Sequence, residues 1–287
     1  MRVKKTLTIS ALALTAALTL AACAGGDDTA APELEQTEFA EGSTMAALQE
    51  AGAITIGTKF DQPLFGQTDL DGVPQGFDVE IGKLIAAKLG IAEDGIEWKE
   101  TVSSNREPYI ESGEVDIVVA TYTINDARKE VISFAGPYYS AGQDLLVVAG
   151  NPEGINGPED LAGKAVCTVS GSTSEANIAE YTTDIIAAAG YAECLEPLRS
   201  GSVVAVTTDN VILAGLADQS AGEFEVVNAP FTKEPYGIGL TKDDTDFRNF
   251  INDVLEESYS DGTWDELWEK TAGTVLDLPT PPAVDRY

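Results

Sequence analysis

The chain has 287 residues, long enough for two domains, and its 48 acidic residues against 17 basic ones give a formal net charge of -31 at pH 7. That excess repels nucleic-acid phosphates and anionic lipid surfaces, which argues against a general polyanion binder. Histidine is absent, which removes His-based triads, the usual general base at neutral pH and most catalytic zinc sites.

Residues 1–22 read as an address. Arg2, Lys4 and Lys5 precede an apolar stretch from Leu7 to Leu20, and "LAAC" puts small residues directly before Cys23. The pattern resembles a bacterial lipoprotein signal, which implies cleavage before Cys23 and a diacylglyceryl group on its sulfur. An ordinary secretory peptide with a chance cysteine is the alternative. Residues 23–42 form the lipidated end and a tether, because "AGGDDTAAPELEQTEFAEG" is rich in Gly, Ala, Pro and acids and has little to bury. No later stretch approaches the roughly 20 apolar residues of a membrane-spanning helix, so the lipid is the expected anchor. The expected location is the extracellular face of the cytoplasmic membrane.

Strand and helix patterns then alternate. "AITIGT" (53–58) is β-type, and "GFDVEIGKLIAAKLG" puts Phe77, Ile81, Leu84, Ile85 and Leu89 on one helical stripe closed by Gly90. "GIEWKE" reads as a strand, "NREPYIESG" as a short helix and "DIVVA" as a buried strand; this βαβ succession predicts a largely parallel sheet. "DLDG" (69–72) lacks the third acid and distal Glu of a calcium loop and reads as a turn. A second unit follows with "QDLLVVA" (143–149), "AVCTV", the helical "SEANIAEYTTDIIAAAG", "VVAVTT", "DNVILAGLA" and "FEVVN". Cys167 and Cys194 lie in the strand-like runs "KAVCTV" and "AECLEP", which could be neighbours in one sheet. In an oxidising compartment they read as a disulfide, with two buried free thiols as the alternative.

"PYGIGLT" (235–241) adds a strand, and "DFRNFINDVLEESYSDGTWDELWEKTAG" adds two helices that have no unit of their own to pack on. The economical arrangement returns the chain to the first unit. Lobe 1 is then 43–141 with a return over 236–275, lobe 2 is 142–235, and 276–287 is a tail. The expected fold is α/β and two-lobed, each lobe a mainly parallel sheet flanked by helices, with two crossover strands and a ligand cleft between the lobes. The loops "ATYTINDAR" and "SGSTSE" each carry hydroxyl residues from a buried strand to a helix start, where unpaired N–H groups favour an anion. Ordinary helix caps, and an arginine paired to a nearby acid, are the alternatives.

"GFDVEIGKLIAAKL" resembles the signature of the family 3 extracellular solute-binding proteins, the amino-acid receptors of ABC importers. "DIVVATYTINDARKEVISFAGPYY", "SGSTSEANI" and "GSVVAVTTDNVILAG" are similar to that family's ligand loop, first crossover and second-lobe segments. Together with the leader, the cysteine pair, "SSNREP" and "AVTTDN", they are similar to glutamate-binding lipoproteins of actinobacteria. The resemblance implies a type II periplasmic-binding-protein-like fold. It also implies that Arg128 holds the ligand's α-carboxylate bidentately, aided by Thr123, Ser172 and Thr173. Asp209 then accepts the α-ammonium group, with Thr121 and the Ala120 carbonyl nearby. Lys59 and Arg106 are placed for a second, side-chain carboxylate. Counted against Asp209 alone, Lys59, Arg106 and Arg128 leave a local charge of +2 that favours an acidic ligand.

The expected partners are L-glutamate or a related amino acid and an ABC permease, with the receptor a monomer that binds no nucleic acid and needs neither cofactor nor metal. A lipoprotein that senses amino acids for a membrane kinase or receptor is the alternative. An enzyme on the same architecture is disfavoured, since no "GxSxG" elbow or "GxxxxGK" phosphate loop accompanies the missing histidine.

Overall fold

The computed structural model describes Leu34 and residues 37–287. The expected signal peptide, Cys23 and much of the tether lie outside those residues. Among the described residues no helix is long and apolar enough to cross a membrane.

Ser43 starts α1 (Thr44–Ala51) by accepting from the Ala46 N–H at 3.1 Å, and Gly52 ends it in the left-handed conformation. The buried strand β1 (Ile54–Thr58) follows. A small antiparallel sheet comes next, built from β2 (Asp61–Gln62), β3 (Gly66–Thr68) and β4 (Pro74–Gln75). Its β3–β4 connection is the expected turn, in which Asp69 Oδ1 accepts from the N–H groups of Asp71 and Val73.

The signature helix α2 (Phe77–Lys88) buries Phe77, Ile81, Leu84 and Ile85 as its stripe requires. It also buries Asp78, which the periodicity does not explain. The chain continues through β5 (Ile96–Glu100), α3 (Arg106–Ser112), β6 (Ile117–Val118), α4 (Asp126–Lys129) and β7 (Ser133–Ala141).

Only Gly142 separates β7 from β8 (Gln143–Val148), which opens the second sheet. After β9 (Val166–Val169) the long helix expected from "SEANIAEYTTDIIAAAG" is not formed. Helix α5 (Thr173–Ile178) is short, and residues Ile185–Ala188 are strand β10, paired parallel to β9. Thr182 marks the break, because its hydroxyl donates to the Lys164 carbonyl at 2.8 Å and accepts from the Asp184 N–H. "AECLEP" is not a strand either. Tyr191–Cys194 form a 3-10 turn that leads into α6 (Leu195–Ser200), where Pro197 sits in the first turn that tolerates it. Cys167 on β9 and Cys194 on this turn, 5.6 Å apart at Cα, are joined by a disulfide. The lobe ends with β11 (Ala205–Asp209), α7 (Asn210–Gln219) and β12 (Phe224–Val226).

The chain then returns through β13 (Glu234–Leu240) to α8 (Thr245–Asp261) and α9 (Thr263–Glu269). The first sheet has the order β5-β1-β6-β13-β7 and the second β10-β9-β11-β8-β12. In each sheet four strands run one way, and the fifth, β13 or β8, runs against both its neighbours. That odd strand is in both cases the one that arrives from the other lobe.

Aromatic packing anchors the returning helices to the crossover. Trp268 of α9 stacks on Tyr139 of β7 with ring centroids 5.1 Å apart, and Trp264 donates its indole N–H to the Tyr138 carbonyl at 3.0 Å. The final residues cover the outer edge of β7, since the Asp285 N–H donates to the Gly136 carbonyl and the Phe134 N–H donates to the Tyr287 hydroxyl, each at 2.8 Å.

Candidate ligand-binding site

Strand β6 ends in a loop whose shape is held by a buried acid. Thr121 has φ +44°, a left-handed conformation that costs a β-branched residue of order 1–3 kcal/mol. Its N–H donates to Asp78 Oδ2 at 2.7 Å, and its hydroxyl donates to Gln62 Oε1 at 2.9 Å. The other Asp78 oxygen accepts from the Tyr138 hydroxyl at 2.6 Å. Burial raises the Asp78 carboxyl to about 7. Asp78 is thus the reason α2 turns a polar residue into the core.

Three cations gather around this loop. Lys59 follows β1, is buried, and donates to Ser103 Oγ at 2.9 Å; burial and then the Arg106 charge lower it to about 7. Arg106 donates from Nε to the Ser103 carbonyl at 3.2 Å and from Nη1 to the Ala120 carbonyl at 3.3 Å. Its guanidinium lies 4.2 Å from the centre of the Tyr122 ring, and burial followed by Arg128 lowers it to about 10. Arg128 is placed by α4, which Asn125 caps by accepting from the Arg128 N–H at 2.9 Å. Its side chain donates from Nε to Glu107 at 3.0 Å, from Nη1 to the Thr123 carbonyl at 2.7 Å and from Nη2 to the Gly171 carbonyl at 3.3 Å. The last bond crosses from one lobe to the other.

The second lobe presents Asp209 at the end of β11 and the loop before α5. One Asp209 oxygen accepts from the Tyr236 hydroxyl at 2.6 Å, while Oδ1 is buried without a hydrogen-bond partner. Burial, then repulsion from Glu234, raises this carboxyl to about 7. Ser172 is a working cap, accepting from the Glu175 N–H at 3.0 Å and donating to the Val169 carbonyl at 2.7 Å. Glu175 reaches back to the Gly171 N–H, one residue earlier than the usual capping box. Thr173 donates its hydroxyl to Glu234 at 2.9 Å.

These groups surround an interlobe cavity of about 10 Å³, close to what one water molecule needs. Arg106, Thr121, Thr123, Ser172, Thr173 and Asp209 line it. Lys59, Ala120 and Arg128 stand one layer behind, each bonded to a neighbouring residue of the loops. Anything larger than a water molecule needs the lobes to part before it fits. Between the lobes Gln67 and Gln219 exchange amide hydrogen bonds of 3.2 and 2.7 Å.

Sequence reasoning missed several members. Gln62, Ser103, Tyr191 and Ile212 also line the cavity. Tyr191 follows β10, a strand read as helix, so its place was hidden. Glu107 was overlooked beside Arg106, although an acid next to a site arginine is a visible signal. The expected charge of +2 does not stand, because Asp78, Glu107 and Glu234 belong to the same cluster.

Residues 54–274 match the model of the bacterial extracellular solute-binding proteins, family 3. The chain belongs to that family. The glutamate-binding protein GluB of Corynebacterium efficiens is 40% identical to this solute-binding protein over 253 residues, covering 81% of this chain and 83% of its own. The ABC transporter glutamine-binding protein GlnH of Bacillus subtilis is 36% identical over 271 residues, covering 93% and 97%. Among solved structures, an ancestral amino acid-binding protein described as a precursor of cyclohexadienyl dehydratase superposes with a TM-score of 0.73 at 32% identity, covering 80% of this chain and 99% of that one. These likenesses agree with the two-lobed, type II architecture of the family 3 chain.

Proposed function

We propose that this family 3 protein captures an acidic L-amino acid, glutamate first and aspartate next, by closing its lobes, and delivers it to an ABC permease. The observation that carries this reading is Asp209, a buried carboxylate with one oxygen held by Tyr236 and the other unpartnered. Such an oxygen facing a cavity suits an ammonium group, whose attraction is strong where water is excluded. Arg128 supplies the α-carboxylate contact by exchanging its bonds to Gly171 and Thr123 for the ligand. Thr121, Thr123, Ser172 and Thr173 complete the polar wall, with the Ala120 carbonyl beside them.

Arg106 and Lys59 favour an acidic side chain, because their hydrogen bonds go to carbonyls and a hydroxyl rather than to carboxylates. Both can turn a donor from a neutral acceptor to a ligand carboxylate, which would favour the charged form of Lys59, whereas Arg128 is bonded directly to Glu107. The name of the glutamate-binding relative supports this ligand, and that of the glutamine-binding relative supports the coarser reading of an amino-acid receptor. The protein acts as a monomer held at the outer face of the cytoplasmic membrane by lipid on Cys23. Its moving bodies are 43–141 with 236–275, and 142–235; the tail is 276–287.

The test is calorimetric titration of the leaderless protein, unfolded and refolded to strip carried ligand, with L-glutamate, L-aspartate, L-glutamine and L-arginine. One-to-one binding of glutamate, with glutamine weaker and arginine silent, is expected. Preference for glutamine or arginine would return Lys59 and Arg106 to a structural role.

A further inference from the structure

Both crossover strands send a side chain to one amide. Gln143 opens β8 and Glu234 opens β13, and both are buried. Asn177, in the last turn of α5, lies with Nδ2 3.0 Å from Gln143 Oε1 and 3.3 Å from Glu234 Oε1. An amide NH₂ has two hydrogens, so one goes to each strand and its donors are saturated. Gln143 uses its own NH₂ on the Ser174 carbonyl at 3.1 Å and on Thr207 Oγ1 at 2.9 Å. Glu234 accepts also from Thr173 at 2.9 Å and from Thr232 at 2.7 Å. The bridge therefore ties both crossover strands to the segment that carries Thr173 and Ser174 into the cavity.

We propose that Asn177 is a positioning residue that couples the paired crossover strands to the cavity wall of the second lobe, and so sets how firmly the cleft closes. This rests on the reading of the cleft as one that closes on an amino acid. Strands that connect two lobes absorb the dihedral change when the lobes move. Gln143 and Glu234 sit just inside the second body, where the chain enters and leaves it, so twisting of β7 against β13 as the lobes move draws one away from the other, and a single amide spans both only near one orientation. Leaving either acceptor unpaired in a buried place is unfavourable, so the bridge favours that orientation. Asn177 does this without touching the ligand.

The test uses the leaderless protein with its disulfide intact and labels at exposed Glu111 and Glu180, one per lobe, for interlobe distance measurement. Asn177→Ala is expected to broaden the distance distribution with glutamate bound and to weaken glutamate about tenfold, mainly through faster dissociation. The unliganded thermal midpoint is expected to fall by only about 3–6 °C. Asn177→Asp puts a like charge beside Glu234 and is expected to be worse, while Glu234→Gln in that background supplies a donor and restores a narrower distribution. Unchanged distances and affinity in Asn177→Ala overturn the proposal, as does an affinity loss matched by a large fall in midpoint with distances unchanged. If the wild-type protein binds none of the four amino acids, the cleft reading fails on its own. The unliganded distance distribution then decides: broadening in Asn177→Ala upholds the bridge, and no change overturns it.

Discussion

Glu107 Oε1 lies 3.0 Å from Arg128 Nε, and Glu107 is the residue next to Arg106. One short helix thus supplies both a cation for the cavity and the counter-charge for the other arginine that faces Tyr122. Taking up Nε aims the remaining edge of the Arg128 guanidinium at Thr123 and Gly171. Glu107→Gln keeps an acceptor and removes a negative charge, so the ratio of glutamate to glutamine affinity is expected to rise roughly three- to tenfold at low salt and less at high salt. Titrations at two ionic strengths check this, and a ratio that does not move means the carboxylate is screened from the ligand.

The two arginines are expected to separate side-chain from α-group recognition. Arg106→Ala should weaken glutamate far more than glutamine, whereas Arg128→Ala should weaken both alike. Removing Arg106 also strands the Ser103 and Ala120 carbonyls, so the midpoint should fall in either background. The ligand ratio, not the absolute affinity, is the readout. Equal losses for both ligands in Arg106→Ala would sink the side-chain assignment.

Stability should depend on pH through three buried groups. Asp78 and Asp209 sit at about 7 against an ordinary 3.8, chiefly through burial, so the folded state holds extra protons between those values. Their contribution is complete below about 3.8 and is lost as the pH rises through about 7. Lys59 falls from 10.5 to about 7, so the folded state holds fewer protons in that range and stability returns as the pH rises above 7. The unliganded midpoint is therefore expected to fall from pH 5 to 7 and to level or recover by pH 9. An ammonium beside Asp209 favours the charged carboxylate, so glutamate should stabilise more at pH 7.5 than at 5.5. Thermal scans across this range, with and without glutamate, read both effects.

Gly171 sits at a close approach between the lobes. Its φ is +76°, and a Cβ there would lie 2.9 Å from Ser104 Cα on the opposite lobe. Gly171→Ala is expected to hold the lobes apart and to weaken every ligand at least about tenfold, with a stability loss of about 1 kcal/mol from the strained backbone. Scattering that shows full compaction with ligand would contradict this.

The disulfide closes a loop over a sequence separation of 27 residues. On the chain-entropy model this stabilises by roughly 3.5 kcal/mol, which corresponds to a midpoint lower by about 10 °C when the bond is reduced. Thermal unfolding with and without reductant measures it. The 3-10 turn that Cys194 closes also carries Tyr191, so affinity should drop with reduction before unfolding begins.

Most strands were legible because their apolar runs are short and bounded by turns, and the return of the chain to the first lobe followed from helices with nothing else to cover. Strand β10 was not, since "IIAAA" suits a helix as well as an edge strand, and only pairing with β9 decides. The placement of Arg128 and Asp209 beside the cavity was legible because one lies in the first turn of a helix and the other ends a buried strand within a family motif. Asp78 and Glu234 were not, because their meaning lies in Thr121 and in Thr173 with Asn177, partners far away in sequence. Ser172 and Thr173 do line the cavity, but the sequence did not show that both hydroxyls are claimed by protein acceptors.

The antiparallel strand in each sheet has a consequence for how the chain assembles. Every strand of the second sheet is present once Val226 has been made, whereas the first sheet still has a gap between β6 and β7 that only Glu234–Leu240 can fill. A chain threaded outward from its N-terminus therefore completes its second sheet first, and its first sheet waits with two unpaired strand edges until the far end arrives. Shortening the chain from that end by some fifty residues would leave the younger lobe whole and the older one open.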